Sequence, residues 1–362
     1  MKVKNMRELE PSTEEKLTKE REKDFTSTTY IDLTRHGSRF GGKMTVQFRN
    51  GKTMTFEDPK DLTPAGKEYV EEIASTAFPE DVVLVHPRGG DEPRHGETGE
   101  DIMKGSKKIR PKREKRDLGP SPILKQGKVK TSRRGLQTDY GTAGMMPQLK
   151  TALGIINDKL NELVAKLSDE EQNKFKNDPE YRAKLREQAQ VFGLKEVLEN
   201  PKYENIIKQA AENEAYELMH AIQLSRRGVK SEGKAVAIPI VGSGIFAESL
   251  YKYTLVVEDE ASGEKKTGFD NVDEIGGFTK QATAFRIKLV RDHSKGDARK
   301  LKDFDQDTTV ECEFINDPER AKLFKGKKVY LDWNTVRDLA KAAEERFVKE
   351  GLVKKPMFAE TQ

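Results

Sequence analysis

From Thr29 to Thr34 the chain reads Thr-Tyr-Ile-Asp-Leu-Thr, rich in β-branched and aromatic residues, and then turns polar at Arg35 and His36. Such a run predicts a strand buried on both faces. Met44–Phe56, "MTVQFRNGKTMTF", alternates apolar and polar positions around Asn50-Gly51, the favoured pair for a two-residue hairpin turn, so a hairpin is expected as an insertion after the first strand. Helical spacing follows in "LTPAGKEYVEEIASTAF", with Thr63 as N-cap and Pro64 at the first helical position. "DVVLVHP" predicts the next strand, and strand, helix, strand begins an α/β unit.

Between Met146 and Arg227 the apolar positions recur at helical spacing over two to four helices. "GKAVAIPIVGSG" then predicts a buried strand, "IFAESLYKYTLV" a helix, "ATAFRIKLVRD" and "TTVECEFIN" two further strands, and "WNTVRDLAKAAEERFVKEG" a closing amphipathic helix. The pattern predicts an α/β fold, a mostly parallel sheet covered by helices on both faces, with ligand chemistry at the carboxyl ends of the strands. It divides the chain into a charged N-terminal extension (1–25), a first part of the α/β domain (26–145) with a basic loop at 103–134, a helical insertion or cap (146–228), and a second part of the α/β domain (229–362).

Composition sharpens this. Of 362 residues only 34% are hydrophobic and 35% are charged, which fits one core carrying solvated helices better than two full cores. The 66 basic and 62 acidic residues leave a net charge of +4, too small for a protein that coats nucleic acid over its whole surface. Charge is concentrated locally: between Met103 and Arg134 there are 13 Lys or Arg against Glu114 and Asp117. With no aromatic residue there to stack on bases, that segment reads first as a solvated loop, and nucleic acid is the less favoured partner. The single cysteine, Cys312, excludes an internal disulfide and a multi-cysteine zinc site and fits a reducing compartment. No apolar run is long enough for a membrane span and no apolar leader opens the sequence, so a soluble, cytoplasmic protein is expected.

The chemistry begins where the first strand ends. Arg35-His36-Gly37, with Arg39 two residues on, puts an imidazole between two guanidiniums. A histidine is neutral and nucleophilic near neutral pH, arginines grip phosphate oxygens in pairs, and glycine lets the backbone approach a ligand. Together they describe a phosphoryl-transfer site. Arg35-His36-Gly37 at a strand end, followed by the helix start Leu62–Gly66, resembles the histidine phosphatase superfamily, the phosphoglycerate mutase-like fold. The resemblance covers Thr29–Ile102 and Lys234–Thr254, extending more loosely to Phe278. It implies that His36 attacks phosphorus and is transiently phosphorylated, with neither metal nor cofactor.

The same resemblance implies further residues. Arg94, followed four places later by Thr98, fits the family's third phosphate-binding arginine; Arg134–Thr138 repeats the pattern but lies beyond the basic segment. The second family histidine, expected after a later strand, is replaced by Ser243 in "IPIVGSGIF". Either Ser243 suffices, or His86 at the exit of "VVLVHP" fills the space, or the chain binds phosphoryl groups without turning them over. For the proton donor Glu114 ranks first, ahead of Asp117 and Glu248. His95, His220 and His293 read as structural or solvated side chains, and no histidine pair has metal-ligand spacing. The function expected is hydrolysis of a phosphomonoester, on a phosphorylated small molecule or a phosphoprotein, with a non-catalytic phosphoryl-binding protein as the alternative.

Overall fold

The computed structural model describes residues 26–37, 43–59, 61–85, 87–89, 93–106, 146–228, 235–242, 244–281, 283–295, 304–351, 353 and 356–358. Arg39, His86, Glu114, Asp117, Arg134 and Ser243, and all of the basic loop past Ser106, lie outside the described residues. Along the chain come β1 (Thr26–Arg35), β2 (Lys43–Gln47), β3 (Thr53–Glu57), α1 (Pro64–Ala77), β4 (Val82–Val85), β5 (Arg88–Gly89) and α2 (Pro93–Ser106). Four helices follow, α3 (Met146–Ala165), α4 (Asp169–Asn177), α5 (Pro179–Glu199) and α6 (Glu204–Gly228). The chain continues through β6 (Ala235–Gly242), α7 (Gly244–Thr254), β7 (Leu255–Asp259), β8 (Lys265–Thr267), β9 (Ala284–Asp292), α8 (Phe304–Asp307), β10 (Thr308–Ile315), α9 (Pro318–Leu323), β11 (Lys327–Leu331) and α10 (Trp333–Lys349).

The central sheet has the order β10-β9-β1-β6-β4, with β5 also on β6. Strand β1 runs parallel to β6, and so do β4 and β5, but β9 is antiparallel to both β1 and β10. The sheet is therefore mixed, a correction to the mostly parallel sheet expected above. Its cause is the route of the chain after α7: β7 and β8 form a small antiparallel sheet with β11, and the chain re-enters at Ala284, opposite Thr34 at the far end of β1. That reversal brings the segment just before β9 to the same sheet edge as Arg35.

Because β1 is central, its two faces pack against different layers. Ile31 and Leu33 join Val236, Ile238 and Ile240 under α6, α7 and α10, while Tyr30 joins Ala237 and Val241 under Val70 and Ala74 of α1 and Ile102 of α2. Full burial of one such aliphatic side chain stabilises by about 1.5–3 kcal/mol. Helix α1 starts as its sequence predicts: Thr63 Oγ1 accepts from Gly66 N at 3.0 Å, and Pro64 occupies the first turn.

The hairpin β2–β3 forms around Asn50-Gly51, with a longer loop than expected. Phe48 N donates to Lys52 O at 2.9 Å, Gly51 N donates to Phe48 O at 2.9 Å, and Gly51 sits at φ 78°. Three residues therefore make the connection, the arrangement in which the last is left-handed and glycine is favoured. The hairpin's apolar face, Met44, Val46 and Phe48, packs on Leu160 and Val164 of α3 and Phe175 of α4. Phe175 meets Phe48 and Phe56 edge-on at 6.0 and 5.5 Å between centroids. Arg182 of α5 completes the join with two bonds to Asp58, at 2.8 and 2.6 Å. The hairpin and the helices between β5 and β6 thus share one core, which fixes where α5 lies. Among the described residues no helix is long and apolar enough to cross a membrane.

Candidate active site

At the carboxyl edge of the sheet the parallel strands end together. Arg35 of β1 pairs in register with Gly242 of β6, and pairing runs one residue further because His36 N donates to Gly242 O at 3.1 Å. On the other side of β6, Arg88 and Gly89 lie opposite Ile240 and Val241. Helix α2 starts four residues after β5 and α7 two residues after β6, so both helix N-termini, with their partial positive charge, follow directly from this edge.

His36 is 2% exposed, and its Nδ1 lies 2.6 Å from the Gly37 carbonyl. A carbonyl only accepts, so Nδ1 carries a proton and donates it to this bond. The turn that provides this carbonyl is clamped from two helices. Gly37 N donates to the buried Thr98 Oγ1 of α2 at 3.1 Å, and a Cβ on Gly37 would come within 2.8 Å of Val70 Cγ2 and 3.2 Å of Gly66 O on α1. Glycine is required here by close approach to α1.

Arg35 is 5% exposed. Its Nη1 donates to the Thr279 carbonyl and its Nη2 to Glu187 Oε1 of α5, both at 3.3 Å, while Nε has no hydrogen-bond partner among the described residues. Thr279 is a junction: its N–H donates to Glu248 Oε1 at 2.5 Å, and its hydroxyl accepts from Arg320 Nη1 at 3.1 Å. Thr279 belongs to the segment that antiparallel β9 delivers to this edge.

A second buried arginine stands across β6. Arg88 faces the same side of the sheet as Arg35, because their register partners, Ile240 and Gly242, are two residues apart. Its Nη2 donates to Glu217 Oε2 and to His220 Nδ1 of α6, each at 3.0 Å. The guanidinium can only donate, so His220 Nδ1 accepts and its Nε2 bears the proton, the tautomer opposite to that of His36. Arg35 and Arg88 are thus each matched by a carboxylate from the helices between β5 and β6.

Of the residues singled out from sequence, Arg35 and His36 stand together at the strand end. The backbone of Arg94 is in the first turn of α2, at the same edge. Glu248 is fully buried, with Oε1 accepting from the Thr279 amide. His220 meets Arg88, and His293 Nε2 lies 2.7 Å from Ser27 Oγ at the opposite end of β1. Sequence reasoning passed over Arg88, Glu187 and Thr279. For Arg88 a signal existed, a lone arginine at a strand exit in "VHPRGG"; Glu187, in "KLREQAQVF", reads as a solvated helical position.

Comparison with protein-family models finds no match, and neither does comparison with curated proteins. Among solved structures, the chain is similar to the phytase from Citrobacter braakii, at 11% identity over 88% of this chain and 98% of that one, with a TM-score of 0.42. It is similar to the apo phytase of Hafnia alvei at 12% identity over 88% and 97% of the two chains, with a TM-score of 0.38. A phytase from Klebsiella sp. is similar at 9% identity over 92% and 98%, with a TM-score of 0.32.

Proposed function

We propose that this protein is a phosphomonoesterase that works through a phosphohistidine on His36 and needs no metal or cofactor. The observation that carries the proposal is the bond from His36 Nδ1 to the Gly37 carbonyl at the end of β1, which assigns the proton of a neutral imidazole to Nδ1 and attack at phosphorus to Nε2. Arg35, the preceding residue and also buried, supplies the positive potential that phosphoryl transfer chiefly needs. The Nε2 pair forms a bond to phosphorus as the ester oxygen leaves, and water then hydrolyses the phosphohistidine.

Arg39, Arg94, Ser243 and His86 belong to the phosphoryl pocket on sequence alone, as does Glu114 as carrier of the proton. The contact of Thr98 with Gly37 supports Arg94 over Arg134 as the third arginine, since Thr98 follows Arg94 in the same helix. The substrate is a phosphorylated small molecule or a phosphoprotein. A second reading, phosphoryl binding without turnover, is favoured by one fact, the serine at 243 where the resembling family has a histidine.

The test is phosphate release from an aryl phosphate with a chelator present, in the native protein and in His36→Ala. Activity that survives chelation, is lost in the variant and leaves phosphate on His36 supports the phosphatase. Activity retained in His36→Ala overturns it, and phosphate binding with no release in the native protein favours the second reading.

A further inference from the structure

We propose that Glu187, which α5 carries to the end of β1, is the group that moves the proton: donor to the leaving oxygen as His36 is phosphorylated, and acceptor from water as the phosphohistidine is hydrolysed. This role rests on His36 being the nucleophile, and it gives to Glu187 the task that sequence alone gives to Glu114.

The Arg35 guanidinium is shared. Glu187 Oε1 accepts from Arg35 Nη2 at 3.3 Å and also from Gln281 Nε2. Both donors converge on that one oxygen, and among the described residues no hydrogen bond reaches Oε2. Glu187 is also the open member of the pair: its side chain is 32% exposed against 5% for Arg35. The other described carboxylates here have partners of their own: Glu97 of α2, 25% exposed, accepts from Leu62 N and pairs with Lys67. Glu217 is buried against Arg88, and Glu248 is buried on the Thr279 amide.

A phosphoryl group that binds Arg35 brings two anions to one cation. This role requires that Glu187 take a proton from solvent once the phosphoryl group holds Arg35. In the first step the His36 Nε2 lone pair forms the N–P bond, the P–O bond breaks with its pair on the leaving oxygen, and the Glu187 proton passes to that oxygen. In the second, the oxygen of water bonds to phosphorus and gives a proton to Glu187, and the N–P bond breaks with its pair returning to Nε2. Phosphate departs and Glu187 is protonated again.

The experiment compares two leaving groups in the full chain. p-Nitrophenolate departs without a proton, whereas the alkoxide of β-glycerophosphate needs one. In Glu187→Gln, glycerol release should fall by about 10²–10⁴-fold, the range general acids supply. The p-nitrophenolate burst should stay within a few-fold of native, which also reports a folded site, and phosphohistidine should persist because its hydrolysis has lost the base. In Glu187→Ala, added formate should restore glycerol release. An equal loss for both substrates without formate rescue, or no loss for either, overturns the assignment. Absence of phosphohistidine in the native protein with both substrates overturns the His36 reading itself, and the role of Glu187 with it.

Discussion

Arg35 and Glu187, 152 positions apart in the chain, meet as an ion pair at 3.3 Å that ties the end of β1 to the middle of α5. An anion that takes the guanidinium has to compete with the carboxylate. Neutralising the competitor in Glu187→Gln should therefore tighten binding of inorganic phosphate by about 2–5-fold, the scale of a partly exposed pair. Arg35→Ala should abolish the rise in Tm that phosphate produces. Calorimetric titration and thermal melts with and without phosphate check both.

On β1, three residues before Arg35, Asp32 accepts Arg286 Nε and Nη2 at 2.8 Å each, and both side chains are buried. Burial works against the charge on Arg286, but Asp32 more than offsets it and holds the guanidinium above its ordinary pKa. Asp32→Ala leaves that charge uncompensated and should cost about 3–5 kcal/mol. Replacing both residues by apolar ones should recover most of the loss. Urea denaturation of the two variants measures it.

Gly37→Ala places a methyl group against Val70 Cγ2 and Gly66 O. Crowding of this kind should cost about 1–3 kcal/mol, and the shifted turn should carry the Gly37 carbonyl away from His36 Nδ1. Activity should fall further than stability. Adding Val70→Ala should relieve only part of the effect, since the contact with the Gly66 backbone remains; Tm and kcat of the single and double variants test this.

Cys312 of β10 has its thiol pushed up from 9.0 to about 12, first by burial and then by Glu313, against a lowering hydrogen bond from the Leu331 backbone. The folded chain keeps a proton that the unfolded chain releases, so stability is intact below about pH 9 and declines as the pH rises from there toward about 12. Cys312→Ala should remove that part of the decline. Urea midpoints of the native protein and the variant across this window give the difference.

Much of the architecture was written locally. β6 was legible because a strand buried on both faces leaves an unbroken apolar run, β1 because of its β-branched and aromatic residues, and α1 because Thr63 and Pro64 mark its start. The direction of β9 was not, because the alternation of a strand says which sides are buried and nothing about which way it runs. β5 is two residues long, and β8 is exposed throughout, so neither has a period to detect. In the site, His36 and Arg35 were found because their neighbours in sequence are their neighbours in space. Arg88, Glu187 and Thr279 acquire meaning only from partners on other elements, as does the bond of Glu248 to the Thr279 amide.

The place of β1 in the sheet also sets a timetable for synthesis. Its two hydrogen-bonded neighbours are β6 and β9, so β1 waits for roughly 200 more residues before either edge can be paired, on the order of 10–40 s at bacterial or eukaryotic translation speeds. Through that interval Tyr30, Ile31 and Leu33 belong to a nascent chain with nowhere to bury them, which makes this stretch the natural place for a chaperone to hold and for truncated products to aggregate.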